Sequence, residues 1–98
     1  MLICRVIGHV WATKKDENME GLKMMVVQQI DSQGNDVGSC FVAADIVGAG
    51  IGEQVLTVSG STARKVLESR GPVPVDAVIV GIIDTIEVER EARQGSRS

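Results

Sequence analysis

Residues 76–88 read Asp76-Ala77-Val78-Ile79-Val80-Gly81-Ile82-Ile83-Asp84-Thr85-Ile86-Glu87-Val88. In a strand, successive side chains point to opposite sides. One face of this stretch carries Val78, Val80, Ile82, Asp84, Ile86 and Val88. The other carries Ala77, Ile79, Gly81, Ile83, Thr85 and Glu87. A sheet with one wet face alternates apolar with polar residues. Here alternation begins only at Asp84, so both faces of the first half must be covered. A chain of 98 residues has little material for that. The cover this reading expects is another copy of the same chain.

The composition supports a small, mostly β domain. Hydrophobic residues make up 44% and aromatics 2%, namely Trp11 and Phe41, so the core must be built from Val, Ile, Leu, Ala and Met. Val and Ile pack well on a pleated surface because their Cβ is branched. The net charge of −3 argues against a nucleic-acid footprint, which needs a basic surface, and against a polybasic membrane patch. Cys4 and Cys40, with the lone His9, form no zinc pattern. They read as buried small hydrophobes. Met1–Trp11 is apolar but interrupted by Arg5 and His9, so it reads as a strand rather than a signal peptide. No apolar run reaches the ~18 residues of a membrane helix. A soluble cytoplasmic protein with reduced thiols is the expectation.

Five strands emerge along the chain. Met1–Thr13 is the first, with Leu2, Cys4, Val6, Gly8 and Val10 inward and Ile3, Arg5, Ile7, His9 and Trp11 outward. Lys14–Gly21 is a polar loop. Lys23–Asp31 and Val37–Ala43 form a hairpin about the turn Ser32–Asp36, where Gly34 and Asn35 tolerate positive φ. Asp45–Glu53 is a glycine-punctuated loop and Gln54–Ser59 a short strand. Ser61–Ser69 is a helix, capped by Ser61 or Thr62 and stopped by Gly71-Pro72. The fifth strand is Asp76–Val88. Residues 1–88 thus form one domain, and 89–98 a polar, solvated tail that finds nothing apolar to bury. Five short strands with a helix between the last two close most economically as a small barrel, which leaves no sticky edge.

Candidate chemistry is sparse. Gly48-Ala49-Gly50-Ile51-Gly52 has glycines at G-x-G-x-G spacing. A dinucleotide loop needs a helix after it, whose N–H groups meet the pyrophosphate, but a strand follows here. No cofactor or metal is expected. His9 has no orienting partner in the sequence for acid–base work. Asp84, a charge on an apolar face, reads as a partnered carboxylate.

Several segments together resemble one family. They are Met1–Gly8, Gly21-Leu22-Lys23, Asp45–Glu53, Gly60-Ser61-Thr62-Ala63-Arg64 and Asp76–Asp84, in that order and spacing. Together they are similar to the pentameric vertex proteins of bacterial microcompartment shells, the EutN/CcmL family. The resemblance implies a five-stranded barrel like an OB-fold. It also implies a homopentameric ring that plugs a shell vertex beside hexameric shell proteins, with no catalytic role. It places Gly60, Ser61, Thr62 and Ala63 near a narrow axial opening, and the glycine loop, with Gly48 and Gly50, toward the opening or the subunit contacts. The outward residues Ile3, Ile7 and Trp11, with Ile79 from the doubly apolar strand, are the other expected interface residues. Two alternatives stand beside this reading. One is a single-stranded nucleic-acid-binding OB module, which would need a basic groove and aromatic platforms. The other is a small enzyme using the Gly48–Glu53 loop, which would need a nucleophile–base pair.

Overall fold

A computed structural model describes residues 1–12, 17–19, 21–70 and 74–89. Part of the expected polar loop, the Gly71-Pro72 helix stop and tail residues 90–98 lie outside them. The elements are β1 (Leu2–His9), β2 (Lys23–Ile30), β3 (Asp36–Asp45), β4 (Gln54–Ser59), α1 (Gly60–Val66) and β5 (Ala77–Ile82). The strands close in the order β1-β2-β3-β5-β4. Neighbours are antiparallel except β3 and β5. The expected fold class, a small OB-like barrel with one helix between the last two strands, is what forms.

Period-2 patterning builds the interior. Cys4 and Val6 of β1, Met25 and Val27 of β2, Ala43 of β3, Val55 of β4, and Ala77 and Ile79 of β5 pack into one buried cluster, with Leu2 and Phe41 against it. Thr57 also lies inside, and its hydroxyl donates to the Leu2 carbonyl at 3.5 Å, so its polar atom is not stranded. Burial pushes the nearby Cys4 thiol above its ordinary pKa, because a thiolate there would be poorly solvated.

The second face of β5 is covered from within the chain at Val78 and in part at Val80, not by another copy as the alternation suggested, while Ile82 stays exposed. Val78 packs with Val58 of β4, Ala44 of β3, and Ala63 and Leu67 from the helical segment. The four-residue spacing of Ala63 and Leu67 puts both on one helix face, and the Leu67 N–H donates to the Ala63 carbonyl at 3.1 Å. α1 therefore lies over the outside of the barrel as a second layer.

Element ends differ from the sequence reading for identifiable reasons. β1 stops at His9 after a register shift between Val6 and Gly8. β5 stops at Ile82 rather than Val88, since its partner β4 begins only at Gln54. Ile82 pairs with Val55, the Ile83 N–H reaches the Gln54 carbonyl at 2.8 Å, and β4 then has no backbone left to offer. Ser59, extended at φ −141°, is the N-cap of α1 in place of Ser61 or Thr62, and its side chain makes no capping bond. Asp84 is exposed, so its charge meets solvent, and no partner for it stands among the described residues. Cys40 is exposed too.

The β2–β3 turn is held by Asp31. Its carboxylate accepts the Gln33 N–H at 2.8 Å and the Asn35 N–H at 2.9 Å. These backbone donors, Asn35 first, hold the Asp31 carboxyl below its ordinary pKa. A carboxyl with a lowered folded pKa adds stability above its unfolded pKa and loses it as pH falls through the folded one. Asp31→Ala should therefore be less stable than the parent at neutral pH. The gap should narrow in acid below the usual aspartate range, as read by urea unfolding. A gap independent of pH would contradict the assignment.

Candidate functional site

The surface most unlike a solvated one is built on the loop between β3 and β4. Its organiser is Asp45, whose side chain is 0% exposed. Oδ1 accepts the N–H groups of Val47 and Gly48, each at 3.0 Å, and Oδ2 accepts that of Ala49 at 2.8 Å. The Lys23 ammonium lies 3.8 Å from Oδ2 and donates to the Ala49 carbonyl at 3.4 Å. Three N–H donors and one cation compensate the buried charge, as a buried carboxylate requires. Gly48 sits at φ +83°, where a side chain would be strained, so the chain can wrap around the carboxylate.

The loop is pinned at its far end as well. The Gly50 N–H donates to Glu53 Oε1 at 2.6 Å. The Gly52 N–H donates to the Val6 carbonyl at 2.8 Å, and the Val6 N–H donates to the Glu53 carbonyl at 2.9 Å. Ala49 plugs into the barrel core. What remains outward is apolar: Ile46, Val47 and Ile51, the last 58% exposed. The bonds to Val6 set this loop beside the outward face of β1, where Ile7 is 44% exposed. Beyond the end of β1, Trp11 is 88% exposed, with its ring centroid 5.9 Å from that of His9. A shallow cleft at this end is lined by His9, Trp11, Leu22, Lys23 and Met24.

This arrangement suits protein contact and not catalysis. The N–H groups of Val47, Gly48 and Ala49 point into Asp45, so they cannot cradle a phosphate. Among the described residues, no three of His, Cys, Asp and Glu converge as metal ligands, and no helix is long and apolar enough to cross a membrane.

The expected site residues divide. Ile7, Trp11 and Gly48 are exposed, and Ile3 and Gly50 are partly so. Ile79 is not on a surface: it is 0% exposed in the barrel core, because the inward face of β5 carries it. Ala63 is likewise 0% exposed, locked between helix and sheet, and so lines no opening. Ser61 and Thr62 are exposed, and Gly60 is partly so at φ +63°. The helix start and the glycine loop lie at opposite ends of β4, whose 6 residues span about 20 Å, so they are separate regions of the surface. Asp45 was missed by the sequence reading, which took it only as the start of the glycine-punctuated loop. An aspartate opening a glycine-rich loop is the mark of a side chain that bonds backbone a few residues on.

Comparison with known proteins gives one answer. Residues 1–84 match the family described as "Ethanolamine utilisation protein EutN/carboxysome". The chain is 44% identical over 88 residues to the carboxysome shell vertex protein CcmL of Synechocystis sp., covering 90% of this chain and 87% of the relative. It is 42% identical over 86 residues to the bacterial microcompartment shell vertex protein EutN of Salmonella typhimurium, covering 88% and 86%. The solved structure of Gloeobacter violaceus CcmL superimposes with a TM-score of 0.82 at 46% identity, covering 91% of each chain. The GrpN pentameric microcompartment shell protein from Rhodospirillum rubrum does so with a TM-score of 0.81 at 39% identity, covering 91% of this chain and 100% of that one. With the barrel and the helix matched over residues 1–84, this chain belongs to the EutN/CcmL family.

Proposed function

We infer that this chain is a structural subunit of a bacterial microcompartment shell, in the bacterial cytoplasm, where five copies close into a ring that caps a vertex. Hexameric shell proteins would form the adjoining facets. The observation that carries the reading is the match over nearly the whole chain to relatives named as shell vertex proteins. The exposed apolar side chains of Ile7, Trp11, Ile46, Val47 and Ile51 support it, since exposed apolar groups on one part of a surface mark contact sites. In this assembly Ile3, Ile7, Trp11, Gly48 and Gly50 belong to subunit contacts, and Gly60, Ser61 and Thr62 lie nearer the opening. The function needs no cofactor and no catalysis.

A nucleic-acid role fits poorly. The net charge is −3, and of the two aromatics Phe41 packs against the barrel core, which leaves Trp11 as the lone stacking platform. Native mass spectrometry should show a species of five times the 10.4 kDa chain. A monodisperse monomer at micromolar concentration would overturn the reading.

A further inference from the structure

β3 is ten residues long but is flanked on both sides only at its end. β2 accompanies it from Asp36 to Asp45, whereas β5 joins it only at Ala44 and Asp45. Among the described residues, no strand pairs with the other edge of Ser39–Ala43. Val75 and Asp76 precede β5 without extending its ladder, and Pro74 has no N–H to donate. On the far side Gly38, at φ +65°, marks a bulge and ends the regular run. Among the described residues a five-residue backbone edge is therefore left open, with Ser39, Cys40 and Val42 exposed along it. Such edges are templates for another strand.

The same chain holds a strand-forming stretch that has no partner among the described residues. Asp84–Val88 contains Thr85, Ile86 and Val88, all strand formers, in an alternating pattern. β4 is used up at Gln54, and nothing described pairs with these five residues. They cannot reach the open edge of their own chain by continuing straight. β5 runs parallel to β3 with Ile79 opposite Asp45, so the residues after Ile82 move away from Ser39–Ala43. At about 3.3 Å per residue, Asp84 to Val88 lies some 15 Å or more past the end of β3.

We propose that in the ring residues 84–88 of each copy add as a strand to the Ser39–Ala43 edge of the next copy. The occupant is a second copy because, among the described residues, each chain carries one open edge and one unpaired strand-forming stretch of equal length, on different parts of its surface. A contact of that kind is head-to-tail, and head-to-tail contacts close into rings when the rotation fits. The pairing supplies main-chain hydrogen bonds; alternate side chains of the added strand meet Cys40 and Val42. The proposal rests on the ring inferred above and assigns which backbone joins its members.

Two experiments test it separately from the ring itself. Chains ending at Glu89 and at Ile83 are compared with the full chain by native mass spectrometry. The full chain and the chain ending at Glu89 should be pentamers; the chain ending at Ile83 should lose the pentamer at micromolar concentration. Cys40 supplies a probe that does not depend on truncation. In the full-length chain, Thr85→Cys or Glu87→Cys should form, on mild oxidation, an intermolecular disulfide with Cys40 of the partner subunit. This gives a non-reducing ladder of up to five chains that Cys40→Ser removes. A pentamer from the chain ending at Ile83 would overturn the pairing and leave the ring standing. So would intact pentamers in which neither cysteine variant gives a Cys40-dependent ladder, or a Cys40–Cys40 dimer from two β3 edges meeting. A full chain that forms no ring would overturn both readings.

Discussion

Ile79→Asp should abolish the folded barrel, while Ile7→Asp should leave the barrel folded and break the ring. Ile79 is 0% exposed and packed among Val6, Val27, Val55 and their neighbours. A carboxylate there would be an unpaired buried charge, at a cost of several kcal/mol. Loss of the apolar side chain adds about 2–5 kcal/mol more. The new charge would also sit across the β3–β5 pair from Asp45, in register with it, and like charges opposite one another repel. Together these approach the ~5–15 kcal/mol by which a domain is stable. Ile7, by contrast, is 44% exposed, so a charge there stays hydrated in the single chain and changes stability by no more than about 0.5 kcal/mol. Circular dichroism melts read the fold, and native mass reads the ring. A cooperative melt of Ile79→Asp near that of the parent would refute the core assignment. A pentamer from Ile7→Asp would remove Ile7 from the interface.

Asp45→Ala should cost about 2–4 kcal/mol, because it leaves the N–H groups of Val47, Gly48 and Ala49 without their acceptor and Lys23 without its counter-charge. The Ala49 N–H suffers most, since that residue is fully buried and has no water to turn to. For a domain of this size each kcal/mol lowers the melting temperature by about 4–8 °C. Asp45→Asn keeps one acceptor oxygen and should fall between parent and Ala. The loop from Ile46 to Gly52 should become the preferred site of proteolysis, because its inner anchor is gone. A melting temperature within about 2 °C of the parent would show that the cradle is not what holds the loop.

Much of the barrel was legible along the chain. Alternation placed Cys4 and Val6 on the inward face of the first strand, and both are buried. The span Gln54–Ser59 was read as a strand and forms β4, since a glycine-rich loop bounds it on one side and Gly60, at φ +63° where the helix starts, on the other. Gly34, at φ +89°, marks the hairpin turn as its neighbours suggested. Family membership was legible as well, because spaced segments such as Asp45–Glu53 and Gly60–Arg64 stand in the sequence itself.

Other features were decided only by the closed structure. The two-sided apolar run of β5 reports that Val78 and Ile79 avoid water; it does not say what covers them, and the cover proved to be α1 for Val78 and the barrel interior for Ile79. The same limit put Ile79 at a contact between copies and Ala63 beside the axial opening, whereas both are buried within the chain. The end of β5 at Ile82 is set by β4, more than 20 residues earlier, which runs out of backbone at Gln54. The role of Asp45 depends on Lys23 and on the path of the loop around the carboxylate. Sequence by itself determined which side chains turn from solvent and where the chain can bend, because those preferences are set by each residue and its near neighbours. Tertiary structure alone decided which surface buries which, where strands stop and which edges stay open, because strand pairing and packing join residues far apart in the chain.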